Sequence, residues 1–255
     1  MNLEQYLPLQ VFQILLVFAR TGSAMLMIPG IGETFVPIRV RLLFSGLLAL
    51  AVAPAIAPQL PPEPGNAAEL LTLIAGEVLI GIYFGLVSRL LLLTLDTAGR
   101  VISFSAGLAA ANIFNPSLTE QGTVIGLILT MLGILLLFIT DLHHMIIRAV
   151  VESYGTFPAG RELMFADLSE AITELSAGSF KVAIQLSAPF YVFSLLFFVC
   201  LGVMSRLMPQ LQIFFIGLPV QIYMGMLVLA TILGALMSAF LTYYADTAAT
   251  YLIPN

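Results

Sequence analysis

The chain has 255 residues, 60% of them hydrophobic and only 9% charged, with a formal net charge of -5. An ordinary soluble domain carries roughly 25% charged residues, so this exterior suits lipid tails and neighbouring protein, not water. The acidic balance and the absence of a Lys/Arg block argue against a nucleic-acid partner, and a single cysteine excludes an intramolecular disulfide.

In chain order, residues 1–13 have neither a basic leader nor a small-residue cleavage site. No removable signal peptide is expected there, and the first helix stays in the mature protein. Six apolar segments follow, at 9–28, 42–56, 70–95, 123–140, 183–203 and 213–243. Each is near the roughly 20 residues that a bilayer core asks of a helix. Nothing alternates with the period of two expected of barrel strands, so the expected fold is all-α: an integral membrane domain spanning 1–255, with membrane lipid around it. The basic residues barely bias orientation. With Arg39, Arg41, Arg100 and Arg206 on the inner side, Arg161 and Lys181 fall outside, which favours an external N-terminus. So weak a bias fits bent hairpins, some of which do not cross the whole bilayer.

The first break, 54–65, holds Pro58, Pro61, Pro62 and Pro64 and reads as an external turn. In the third segment Glu77, Gly81 and Gly85 follow at four-residue steps. Such a ridge lets a neighbouring backbone approach closely, so the glycines read as helix packing. An ionised Glu77 at mid-membrane costs about 2.5 to 3.5 kcal/mol and should face protein or water. Arg89, in the same segment, is treated alike. Residues 106–122, AGLAAANIFNPSLTEQG, are small and nearly uncharged, and Asn112, Asn115 and Pro116 oppose a continuous helix. Neither a lipid-facing span nor a solvated loop has this composition; a segment held in a protein-lined cavity does.

Asp141, His144, Arg148 and Glu152 recur at three- and four-residue spacing, on one stripe of a helix. They read as an ion-paired face fixing one helix against another. His143 and His144 raise a metal or proton-relay reading. Neighbours on a helix diverge by about 100 degrees, however, which disfavours chelation of one ion by the pair. Residues 157–181 carry Glu162, Asp167, Glu170 and Glu174 and read as an acidic polar loop with a short surface helix. Cys200, within an apolar run, reads as core. Arg206 and Pro209 interrupt the last apolar stretch, and Gly217 with Pro219 breaks it again after Phe214 and Phe215. Broken helices of this kind line pathways in some membrane proteins. No Ser or Cys lies in a nucleophile motif and no Gly-rich phosphate loop is present, so no catalytic, cofactor or metal site is assigned.

Three stretches together resemble the FliR family of flagellar biosynthetic proteins and their type III secretion counterparts. Phe18, Ala19 and Arg20 with Pro29, Val36, Pro37 and Arg39 are similar to the family's opening helix and turn. Asp141, His143 and His144 with Ser153, Pro158 and Gly160 resemble its Asp-Gly-His-His block, with Leu142 in place of the glycine. Gly202, Arg206, Pro209, Gln210, Gly217 and Pro219 resemble its closing motif. The resemblance implies a non-catalytic subunit of an export gate in the bacterial inner membrane, within the flagellar basal body. Its implied partners are FliP and FliQ homologues and FlhB, and unfolded proteins pass through it. It also implies bent hairpins sitting largely above the membrane plane. On the same likeness 106–122 becomes the loop that plugs the closed channel, with Ala109, Ala110, Ala111, Asn112, Ile113, Phe114, Asn115 and Pro116 at its centre. Glu77, Arg89, Asp141, His144, Arg148, Glu152 and Arg206 are then polar side chains sheltered between helices. The alternative is a proton-coupled secondary transporter of a small solute using Glu77, Asp141 and His144, against which stands the lack of an internal repeat.

Overall fold

A computed structural model of the chain describes residues 3–108, 122–161, 164–208, 210 and 213–252. All regular structure among them is helical. Among the described residues seven α-helices follow one another: α1 Leu3–Met25, α2 Ile38–Ile56, α3 Ala67–Ser105, α4 Val124–Ile139, α5 Leu142–Thr156, α6 Phe165–Leu207 and α7 Ile213–Leu252, with a 3-10 turn at Ala57–Gln59. Among the described residues four stretches are long and apolar enough to cross a membrane: Ile38–Gln59, Ala67–Ser105, Phe165–Leu207 and Phe215–Leu252. The bent pair α4 and α5 is a fifth apolar stretch, either a broken span or a re-entrant loop. This is an all-α integral membrane protein.

The long helices exceed what hydropathy outlined. At 1.5 Å per residue, the 39 residues of α3 run about 58 Å, close to twice the roughly 30 Å hydrocarbon layer. The 43 residues of α6 run longer still, about 65 Å. Steep tilt or extension beyond the lipid must absorb the excess. The start of α3 is fixed by an Asn66 cap. Asn66 Oδ1 accepts the Glu69 amide at 2.8 Å, occupying a donor that a helix N-terminus leaves open, and the Glu69 carboxylate accepts from the Asn66 side chain and the Gly65 amide, both at 3.1 Å.

Two expectations need correction here. Residues 157–181 are not an acidic loop with a short helix, because α6 begins at Phe165 and its first turns carry Asp167, Glu170 and Glu174. Leu168, Ala171, Ile172 and Leu175 recur at helical spacing and are the less exposed positions of that stretch, so the segment is an amphipathic extension of the apolar helix. Cys200 is not core: it is exposed. An apolar run of neighbours does not distinguish a lipid-facing flank from an interior one.

The chain divides into two compact units, where one domain was expected. The first holds residues 1–91, 137–175 and 245–255. In its core Val17 of α1, Ala49, Ala53 and Ile56 of α2 and Tyr154 of α5 meet, with Ile14, Phe18, Val52, Leu60 and Val151 around them. The small residues of α2 fall at four-residue steps, which lets α1 lie close. Arg41 ties the α1–α2 turn by donating to the Val36 carbonyl from both Nε and Nη2. The second unit holds 92–136 and 176–244. Leu95, Ala98 and Ile102 of α3, Leu129 of α4, Phe190 of α6 and Phe240 of α7 are all fully buried.

Candidate functional site

The deepest polar cluster lies in the first unit, where α1, α3 and α5 bring Arg20, Glu77 and Ser153 together. Arg20 and Glu77 are almost wholly buried, at 0% and 1% side-chain exposure. Their pairing is bidentate: Arg20 Nε donates to Glu77 Oε2 at 2.7 Å and Nη2 to Oε1 at 2.9 Å. Two further bonds run to Ser153 Oγ and to the Phe157 carbonyl, each at 2.9 Å. The guanidinium also lies 3.7 Å over the Tyr154 ring, a cation–π contact strengthened by exclusion of water. Every oxygen of the carboxylate has a donor, as a buried ion must. A mostly apolar cavity of about 480 Å³, lined by Thr72, Gly76, Glu77, Ile80, Pro158 and Arg161 among others, adjoins the pair.

Gly81 and Gly85 lie one and two turns beyond Glu77, against α1. A Cβ at Gly81 would strike Ser23 Oγ and the Arg20 carbonyl, and one at Gly85 would come within 2.7 Å of Met27 Cβ. The two glycines therefore set the close approach that lets Arg20 reach Glu77. The partnership with Arg20 is the functional contact that sequence reasoning missed. A signal was present: Arg20 is the one charge of the apolar stretch 9–28 and Glu77 the one acid of 70–95, and opposite charges in hydrocarbon have reason to find each other.

Arg89 is half-exposed and pairs at 3.1 Å with Glu33 in the α1–α2 turn. The stripe on α5 departs from expectation more sharply. His144 Nδ1 sits 3.2 Å from Asp141 Oδ1, and Arg148 Nε donates to Glu152 at 2.6 Å. Yet Asp141, His144 and Arg148 are 77%, 70% and 78% exposed, and Glu152 42%. Both pairs run along the helix, so within this chain they form an outer face, not a buried contact between helices. His144, Arg148 and Glu152 share one face of α5, while Asp141 precedes the helix as its N-cap. His143 and His144 also do not diverge as regular helix neighbours would, because their rings stand 4.0 Å apart at the first turn of α5. Arg206 is exposed in the last turn of α6.

In the second unit, Gln221 of α7 is buried and donates from Nε2 to the Ser105 carbonyl at 2.9 Å. This holds the end of α3 just before Gly107, which has φ +77°. Gly122, with φ +86°, precedes α4, whose first turn is capped by Thr123 Oγ1 accepting the Gly126 amide at 3.1 Å. Both glycines occupy the left-handed region that other L residues rarely adopt. The expected plug residues Ala109 to Pro116 lie outside the described residues. Glu162 and Pro209 fall outside them as well.

Residues 11–247 match the family of bacterial export proteins, family 1. The chain is 38% identical to the flagellar biosynthetic protein FliR of Caulobacter vibrioides, over 93% of this chain and 94% of the relative. It is 30% identical to FliR of Escherichia coli K12, over 89% of this chain and 85% of that protein. The Yop proteins translocation protein T of Yersinia pestis is 29% identical over 75% of this chain and 74% of its own length.

Proposed function

The chain belongs to the bacterial export proteins, family 1, and from that membership we propose that it is a structural, non-catalytic subunit lining the flagellar type III protein export gate. It is a component of a protein export apparatus in the bacterial inner membrane, at the flagellar basal body. The observation that carries this reading is likeness to FliR along nearly the whole chain. The exposed surface agrees with it. Leu43 and Leu47 of α2, Leu195 and Leu196 of α6, and Phe215 and Tyr223 of α7 stay 61–76% exposed after folding, more than scattered surface apolars would require. α6 and α7, at 43 and 40 residues, run about 60 Å, twice a roughly 30 Å lipid core, which suits cover by neighbouring subunits for part of this surface. FliP and FliQ homologues, with FlhB, are the partners this reading names.

Unfolded flagellar proteins would pass a pore to which this chain contributes a wall, and residues 109–116 would supply part of the plug. A plug must exclude ions yet yield to a polypeptide, and small residues around Ile113 and Phe114 suit both demands. The rival transporter would need Glu77 to exchange protons through the neighbouring cavity. Its carboxylate is held on both oxygens by Arg20, which fits a structural role better. Purification from mild detergent tests the assignment: several small helical partners should accompany the chain, and a stable monomer that moves a metabolite unaided would contradict it. Deleting 109–119 should raise ion conductance of the reconstituted complex without preventing its assembly. Unchanged conductance would refute the plug.

A further inference from the structure

The break between α4 and α5, in the first unit, brings together chemistry that the export reading does not use. The chain's two histidines stand side by side there, with ring centroids 4.0 Å apart, beside Asp141, the non-glycine residue with positive φ, 59°, among the described residues. A left-handed aspartate is tolerated but unfavourable, and strain of this kind points to a constraint on where its carboxylate goes. One ligand atom from each of Asp141, His143 and His144 lies within 4.8 Å of the other two.

We propose that Asp141, His143 and His144 form a binding site for a divalent transition-metal ion of the zinc class at this break. One separation already matches a shared ion, and the other donor lies within 4.8 Å of both. Two ligand atoms each about 2.0 to 2.1 Å from zinc in a tetrahedral array stand roughly 3.3 Å apart, and Asp141 Oδ1 and His144 Nδ1 stand at 3.2 Å. His143 supplies the third donor. Its Nδ1 faces the Leu137 carbonyl at 3.3 Å, so an Nδ1–H donating there leaves the Nε2 lone pair for a metal, the usual way a second partner orients a ligating imidazole. Phe138 stacks on the same ring at 4.5 Å and 26°, limiting its rotation. The C-terminal end of α4 points carbonyls toward the break, and that end of a helix favours a cation. Arg148, the nearest following cation on α5, is engaged by Glu152 at 2.6 Å. Two imidazoles and one carboxylate select zinc, nickel or cobalt over magnesium or calcium, and three protein ligands leave a position for water or a partner's side chain.

The test uses the full-length chain in mild detergent, stripped with a chelator and titrated with Zn²⁺, and with Co²⁺ as a visible probe. One ion per chain should bind, and His143→Ala, His144→Ala and Asp141→Asn should each weaken binding roughly tenfold or more. Cys200→Ser, which removes the exposed thiol, should bind as the natural chain does. Equal affinity in a His143→Ala/His144→Ala double variant, or loss of binding in Cys200→Ser, would overturn the site. A second readout needs no variant. Because both histidines belong to the site, diethyl pyrocarbonate modification followed by mass spectrometry reports on it alone: Zn²⁺ should slow reaction at both rings, and identical rates with and without Zn²⁺ would overturn the proposal.

Discussion

The Arg20–Glu77 node and the Asp141–Glu152 stripe are both made of charges in a greasy chain, and they behave oppositely. In the node, the partners are 57 residues apart and the guanidinium reaches two other helices, Glu77 on α3 and Ser153 with the C-cap Phe157 on α5. In the stripe, each charge pairs within four residues along α5 and stays open to its surroundings. A charge whose partners come from other helices ties the fold together; one whose partner is on its own helix does not. The contrast predicts a steep difference in what substitutions cost.

The largest effect should come from removing one member of the node. Arg20→Ala or Glu77→Ala leaves the other ion buried alone and should destabilise the chain by about 3 to 5 kcal/mol, read by denaturation in detergent followed by circular dichroism. A loss below about 1 kcal/mol, the range of exposed pairs, would erase the distinction. Next comes the close approach that makes the node possible. Gly81→Leu or Gly85→Leu must push α1 away and should cost about 1 to 3 kcal/mol, while the same change at Gly65, whose Cβ would meet nothing within 4 Å, should cost far less. Gln221→Ala leaves the buried Ser105 carbonyl without its donor and should cost about 1 to 3 kcal/mol, with the loss confined to the second unit in hydrogen exchange. Smallest is the stripe: Arg148→Ala or Glu152→Ala should change stability by about 0.3 to 0.5 kcal/mol, as helical i,i+4 pairs do.

The same contrast explains what the sequence made legible. Composition and hydropathy gave an all-helical membrane protein, since apolar length alone decides that. The Glu77, Gly81, Gly85 ridge gave a packing face, because small residues at four-residue steps carry their own physical meaning. Arg20 was visible as a residue but not as the partner of Glu77, because pairing across 57 positions depends on which helices meet. The first turns of α6 were read as a loop because a hydropathy window stops at charge, whereas the helix continues through Asp167, Glu170 and Glu174 on its outer side. On α5 the spacing puts His144, Arg148 and Glu152 on one face, with Asp141 before the helix, but periodicity does not say which side of a helix is covered. His143 and His144 were expected to diverge because neighbouring positions on a helix do, whereas their side chains turn toward each other and bring the ring centroids to 4.0 Å within α5.

The central claim is that the buried charges hold helices together for assembly and perform no chemistry. The most direct measurement replaces the pair by apolar residues of similar size, Arg20→Met with Glu77→Leu, and follows export of flagellar proteins in cells lacking the natural gene. The account predicts that the double variant regains the stability lost by either single change and exports protein. A double variant that folds and assembles normally yet exports nothing would show that the charges themselves take part in transport.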